Sequence, residues 1–124
     1  MKQISVIIPT YNEEKFIADC LKSVYEQEYP KDKIEVIVVD GHSTDKTAKI
    51  VRQEFPDVIL LDNPDKIVPI SMNIGIKQAK GDYIIRLDAH ARYPRNYLSK
   101  LIENALIFNA DNIGGLCITE TKSN

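Results

Sequence analysis

The sequence has no tryptophan, only two cysteines and no glycine-rich loop of the GxGxxG type. Each shortage removes a class of protein. Cys20 and Cys117 lie far apart and outside any CxxC or metal-ligand spacing, so neither a disulfide framework nor a cysteine-zinc site is indicated, and two buried thiols are expected. No stretch reaches the ~20 consecutive apolar residues of a membrane span. A basic excess is also missing: 16 Lys and Arg stand against 18 Asp and Glu, for a net charge of −2, and the basic residues are scattered. A nucleic-acid partner is therefore not expected. What remains is ordinary for a soluble globular chain, 44% hydrophobic and 27% charged over 124 residues, which predicts one domain over 1–124 with a single core. Met1-Lys2-Gln3 runs straight into a strand-like segment, which predicts no signal peptide and a cytoplasmic protein. An anchor beyond Asn124 in a longer parent would place it at the inner face of the cell membrane.

Along the chain, strand and helix patterns alternate. Ile4–Ile8 is short, apolar and β-branched, and Pro9 is expected to end it. Asn12 reads as an N-cap with Glu13 and Glu14 in the first turn, followed by Phe16, Ile17, Cys20, Leu21, Val24 and Tyr25 at helical spacing, with Tyr29-Pro30 closing the helix. Ile34–Asp40 is a second strand. Gly41-His42-Ser43 is a turn, and Ser43 or Thr44 is expected to cap a helix carrying Ala48, Ile50, Val51 and Phe55. Val58–Leu61 is a third strand, and Asn63-Pro64-Asp65 a turn. Pro69 suits the first position of a helix over Ile70–Gln78, which Gly81 ends. Tyr83–Asp88 is a fourth strand, Ala89–Tyr93 a loop, and Pro94 opens a helix through Leu98, Leu101, Ile102, Ala105 and Leu106. Ile113–Thr119 reads as a fifth strand before a polar tail. The class is α/β: a mainly parallel, Rossmann-like sheet with helices on both faces. Ligands of such sheets bind at the carboxyl ends of the strands, so the informative residues are those that follow each strand.

After the first strand comes Pro9-Thr10-Tyr11-Asn12-Glu13-Glu14. Two glutamates there favour a helix N-terminus themselves and would repel a phosphate, so a dinucleotide at this turn is not expected. Tyr11 offers a flat face to a base; it is equally a loop residue, and the glutamates equally a cap. After the second strand, Asp40 can accept hydrogen bonds from a base or a ribose, or from its own loop. His42 reads as a surface turn residue. After the fourth strand, Asp88 and His90 stand two apart, which in extended backbone puts both on one side. A carboxylate and an imidazole so placed can share one divalent cation, Mn²⁺ or Mg²⁺. Arg92 is either a partner for phosphate or a solvated charge.

Four segments together resemble the family-2 glycosyltransferases of GT-A fold: VIIPTYNEE, VVDGHSTD, NIGIKQAKGDYI and LDAH, in that family's order and spacing. They span Ile4 to about Pro94, with weaker agreement to Thr119. The run DAHARYP looks especially like bacterial exopolysaccharide glycosyltransferases of the succinoglycan-biosynthesis type. The resemblance implies that Pro9, Thr10, Tyr11 and Glu13 line a base and ribose pocket, with Tyr11 against a uracil-type ring. It places Asp40 in the nucleoside-binding loop, Asn73 and Gly75 on the family's N-x-G stretch, and Lys66 within reach of the nucleotide. Asp88 becomes the first Asp of a DxD-like motif, contacting ribose and a metal-bridged diphosphate. Two departures stand out. Many members carry a second acid where this chain has Gly41, and the last DxD position is His90, a variant that binds Mn²⁺ in the related polypeptide N-acetylgalactosaminyltransferases.

The implied reaction is an inverting, metal-assisted transfer of a sugar from a nucleotide-diphospho-sugar, a UDP-sugar by the resemblance. The acceptor is a hydroxyl of a glycan or lipid-linked glycan in polysaccharide biosynthesis. The family's catalytic base belongs to a region this sequence does not match; Glu120, in the tail, reads as a solvated charge. The alternative is a non-catalytic nucleotide-binding or assembly fragment without that base. A phosphoacceptor receiver is disfavoured, because its acidic pair after the first strand is replaced by Pro9-Thr10-Tyr11. A nucleotidyltransferase would want a loop rich in Gly, Arg and Lys at the same place.

Overall fold

The computed structural model describes residues 2–108, 112–113 and 116–118, with side chains through 104. Strands β1 (Ile4–Thr10), β2 (Ile34–Asp40), β3 (Ile59–Asp62) and β4 (Tyr83–Arg86) alternate with helices α1 (Ile17–Tyr25), α2 (Thr47–Glu54) and α3 (Val68–Gln78). Helix α4 (Tyr97–Phe108) leads to two short strands, β5 (Asn112–Ile113) and β6 (Leu116–Ile118). The sheet order is β3-β2-β1-β4-β6-β5. β1 to β4 are parallel, whereas β6 runs antiparallel to β4 and β5 antiparallel to β6. The single fifth strand expected over Ile113–Thr119 is thus split into an antiparallel pair.

Side-chain alternation sorts the core into two layers. Ile4, Val6, Ile8, Val36, Val38 and Ile85 pack with Ile17, Cys20, Leu21, Val24, Val51, Leu98 and Ile102, from α1, α2 and α4. Ile7, Ile37, Val39 and Ile84 face the other way, against Met72, Ile74 and Ala79 from α3 and its C-terminal end. Strands covered on both faces have no polar side to show, which is why Val36–Val39 of β2 reads as an unbroken apolar run. Helix α3 lies close to the sheet because Gly75 has no side chain; a Cβ there would stand 2.7 Å from Ile7 Cγ2.

Several local expectations are corrected. Pro9 does not end β1; it pairs in register with Val39. Ile7 O accepts from Leu87 N, so the main-chain groups of Ile7, and of Pro9 two residues on, face the β4 side. β4 has already stopped at Arg86, level with Ile7, so the N–H that proline lacks would have had no partner there. Asn12 is not a helix cap. It takes a left-handed backbone (φ 51°), which Asn tolerates, and α1 begins only at Ile17, with no side-chain cap at Phe16. That helix also ends at Tyr25, before Tyr29-Pro30. Ser43 and Thr44 do not cap α2; Asp45 Oδ1 accepts from Thr47 N at 2.9 Å instead.

Candidate functional site

The strand order places β2 and β3 on one side of β1 and β4 on the other, so the chain reverses direction across the sheet between β1 and β4. In open parallel sheets, ligands bind at that reversal, outside the carboxyl ends of the strands. A groove of about 190 Å³ lies there, lined by Pro9, Thr10 and Tyr11 at the end of β1, Arg86, Leu87 and Asp88 at the end of β4, Lys66 just before α3, Val68 and Ser71 at its start, and Glu13. β1 outruns β4, and the chain beyond Leu87 diverges from it, which opens the crevice.

The structure brings Pro9, Thr10, Tyr11, Glu13, Lys66 and Asp88 together on this groove. Tyr11 is 44% exposed, and the Lys66 ammonium stands 5.4 Å from the centre of its ring. Lys66 adopts a left-handed backbone (φ 65°) in a turn held by Asn63, whose amide donates to Ile67 O and Ser71 Oγ. Gly41 makes room for that turn: a Cβ on it would stand 3.4 Å from Lys66 Cα and 3.2 Å from Thr10 O.

Asp40 converges on the same edge but does not line the groove; it lines a neighbouring hollow between α2 and β3. It is buried, and Oδ1 accepts from Thr10 Oγ1 at 2.7 Å and Ser43 Oγ at 2.6 Å, while Oδ2 accepts from Ser43 N at 2.8 Å. Of the two readings open to this carboxylate, the structure shows the bonding to its own loop. Asn73 is exposed on α3 and does not line the groove; nor does Arg92, also exposed. Arg86, the last residue of β4, does line it, although its place in a strand pattern marks it only as a strand residue.

The loops after β1 and β2 are laced together. Asn12 N donates to Ser43 Oγ, Glu13 N to Thr47 Oγ1 and Glu14 N to Asp45 Oδ2. In return, Thr44 N and Asp45 N donate to Asn12 Oδ1, and Lys46 N to Glu14 Oε1. The first loop's amide donors are consumed by side chains, which gives a firmer reason than glutamate repulsion for the absence of a phosphate cradle there. Burial works to raise Asp45, but hydrogen bonds from Thr47 and Glu14 prevail and hold it below the usual carboxylate range.

The loop after β4 is pinned by its main chain. Asp88 N donates to the Tyr93 hydroxyl at 2.7 Å, and Asp88 O accepts from Ala91 N and the Cys20 thiol. Burial pushes Tyr93 up to about 12, and burial, aided by Asp88 and Glu13, pushes Cys20 up to about 12. Asp88 and His90 meet through a turn, not through extended backbone: His90 N donates to Asp88 Oδ1 at 2.9 Å, and His90 Nδ1 lies 3.5 Å from that oxygen. Both side chains are exposed, 69% for Asp88 and 60% for His90. Glu13 Oε2 stands 3.1 Å from His90 Nδ1, and the Phe16 ring stacks on the imidazole at 4.9 Å. Burial raises Glu13, which His90 opposes and Asp88 and Asp45 reinforce.

Asp88 and His90, both exposed on an open rim, bring a carboxylate and an imidazole to one place, donor types that suit Mn²⁺ or Mg²⁺, which take one or two protein ligands and complete their shell with phosphate and water. Among the described residues, no group of three or more His, Cys, Asp or Glu is arranged to hold a metal by itself. Glu120 lies outside the described residues. His42 pairs with Asp62 at 3.2 Å on the surface, away from the groove. Two larger hollows exist, about 310 Å³ between α2 and β3 and about 360 Å³ at the opposite edge of the sheet by Tyr25 and Ile34, but neither gathers residues that follow both β1 and β4. No helix among the described residues is long and apolar enough to cross a membrane.

Comparison with known proteins matches residues 5–123 to the family model described as glycosyl transferase family 2. The chain is 39% identical over 108 residues to a dolichyl N-acetyl-alpha-D-glucosaminyl phosphate 3-beta-D-2,3-diacetamido-2,3-dideoxy-beta-D-glucuronosyltransferase of Methanococcus voltae, covering 83% of this chain and 34% of that protein. It is 36% identical over 113 residues to the succinoglycan biosynthesis protein ExoA of Rhizobium meliloti, covering 87% of this chain and 34% of that protein. The chain thus spans about a third of the length of these relatives. Among solved structures, Staphylococcus aureus TarS 1-349 in complex with UDP superposes with a TM-score of 0.76 at 30% identity, over 88% of this chain and 33% of that one. The mannosyltransferase PcManGT of Pyrobaculum calidifontis, in complex with GDP-Man and Mn²⁺, superposes with a TM-score of 0.74 at 35% identity, over 89% of this chain and 33% of that one.

Proposed function

The chain belongs to glycosyl transferase family 2 and has the GT-A fold, and from that premise we propose that the groove between β1 and β4 binds the nucleoside diphosphate of a UDP-sugar. The observation that carries this reading is the meeting of Tyr11, Lys66 and Asp88 on one groove at the point where the sheet reverses. Tyr11 gives the base an exposed ring face. Thr10 and Pro9 form the floor beside it, with Asp40 holding Thr10 in place. Lys66 and Arg86 supply positive charge on the groove wall for the diphosphate. Asp88 and His90 would hold a divalent cation, Mn²⁺ or Mg²⁺. When bound, that cation stabilises the negative charge that the diphosphate acquires as the sugar leaves. The names of the Methanococcus and Rhizobium relatives, a dolichyl phosphate-linked sugar transferase and a succinoglycan biosynthesis protein, support a glycan or lipid-linked glycan acceptor in polysaccharide assembly.

In the reaction, the acceptor oxygen attacks the anomeric carbon in line and inverts it, while a carboxylate takes the acceptor proton. General-base help of that kind is worth roughly 10²–10⁴-fold. The carboxylates lining the groove, among the described residues, are Glu13 and Asp88. Glu13 is turned to His90, and the proposed cation takes Asp88, so this reading assigns neither as that base. We read the chain as one donor-binding unit over 1–124, and donor binding is the property that tests it. Titration calorimetry with UDP tests the reading: binding that requires Mn²⁺ and exceeds that of GDP supports it. No heat at millimolar UDP with Mn²⁺ present overturns it.

A further inference from the structure

His90 is held from three directions, and only part of that hold belongs to the rim it serves. Phe16 covers one ring face at 4.9 Å, with the planes 30° apart. Glu13 Oε2 and Asp88 Oδ1 stand 3.1 Å and 3.5 Å from the same nitrogen, Nδ1. Both are carboxylate oxygens, which only accept when ionised, so in the neutral ring the proton belongs on Nδ1. That leaves the lone pair on Nε2. The Glu13 side chain is 12% exposed against 60% for His90, so the carboxylate is the fixed member of the pair. Its own main chain is tied to Thr47 Oγ1 at 2.7 Å, and Phe16 N donates back to Glu13 O at 3.0 Å.

We propose that Glu13 and Phe16 are positioning residues for His90: Glu13 fixes the tautomer that carries hydrogen on Nδ1, Phe16 holds the ring plane, and Nε2, with its lone pair, is the atom offered to the cation. The inference rests on the donor-site reading and gives Glu13 a different task from lining the base and ribose pocket. A carboxylate behind a ligating histidine acts in this way at metal centres in general, orienting the ring and raising its basicity. The motif run that places Glu13 three residues before Phe16 then serves the rim formed after β4.

The test is nitrogen-15 NMR of the His90 ring in the full chain without metal, at a pH where the ring is neutral. The expected spectrum has hydrogen on Nδ1 and none on Nε2. In Glu13→Ala the Nε2–H form, which free histidine prefers, becomes dominant. In Phe16→Ala, where the lost ring is 44% exposed and the fold keeps its core, the Nδ1–H form persists and the ring signals broaden. Mn²⁺ affinity, read by the paramagnetic signal of the free ion, falls about 10- to 100-fold in Glu13→Ala. A wild-type ring with hydrogen on Nε2, or a tautomer that ignores the loss of Glu13, overturns the proposal. The two readings fail separately. Absence of Mn²⁺-dependent UDP binding removes the donor site and leaves the tautomer result standing, whereas a wrong tautomer beside intact UDP binding removes only the roles of Glu13 and Phe16.

Discussion

The loops after β1 and β2 and the loop after β4 share one edge of the sheet and divide its labour in opposite ways. In the first pair, the amides of Asn12, Glu13 and Glu14 all donate to side chains of the facing loop, and Asp40 spends its oxygens on Thr10 and Ser43. In the second, the main chain of Asp88 is tied down by Tyr93, Ala91 and Cys20, while the side chains of Asp88 and His90 project outward. A polar group already satisfied inside the protein has little left for a ligand; one held by its backbone and exposed at its tip is ready for one. The same residue type, aspartate at the carboxyl edge of the sheet, is thus buried and internally bonded at Asp40 and exposed at Asp88.

Substitutions at these two aspartates break the comparison most directly. Asp88→Ala is expected to weaken Mn²⁺-dependent UDP binding by about a hundredfold or more, since even residues behind a metal ligand cost about 10- to 100-fold. Its melting temperature should stay near that of the parent, because the lost side chain is largely exposed. Asp40→Ala should do the reverse. It strands the Thr10 hydroxyl and the Ser43 donors and costs about 2 kcal/mol of stability, measurable by urea unfolding, with binding retained in the fraction that stays folded. Equal loss of binding from both, at unchanged stability, would erase the distinction.

Smaller effects sharpen it. Tyr11→Ala should weaken UDP about tenfold without altering stability, the expected worth of one stacked base. Gly75→Ala should cost about 1–3 kcal/mol by pressing α3 off Ile7, with no change in affinity for the folded chain. The smallest effect concerns Cys20, beneath Asp88. Its folded-state value of about 12 lies above the ordinary thiol value of 9.0, so the fold favours the protonated form. That contribution is present below the unfolded value and is lost as pH rises through 9 towards 12. In a Cys117→Ser background, alkylation of Cys20 should be slow in the native chain at pH 8 and fast in urea.

Much of this was legible in the sequence, and the failures share a cause. Ile34–Asp40 was bounded correctly because a strand buried on both faces announces itself by composition. The alternation of elements gave the parallel sheet, and with it the edge where function belongs. What one-dimensional patterns could not show was which polar residue bonds to which across loops some thirty positions apart. Asn12 carries every local mark of a cap, yet its amide oxygen is claimed by Thr44 and Asp45. Asp40 and Asp88 look alike until burial separates them. Arg86 was hidden by its place at the end of a strand, although an arginine there, where the sheet gives way to the crevice, was itself a signal. Cys20 and Tyr93, which hold Asp88 from behind, gave no sign of that role because their contacts run through the Asp88 backbone.

The central claim concerns place: a nucleoside diphosphate lies between Tyr11 and Asp88. A crystal structure of the chain grown with UDP and Mn²⁺ measures this without recourse to turnover. The account predicts uracil density on the Tyr11 ring, phosphates beside Lys66 and Arg86, and a metal peak at Asp88 with Nε2 of His90 facing it. Nucleotide density in the hollow by Arg52 and Asp62, or at the opposite edge of the sheet, would contradict it.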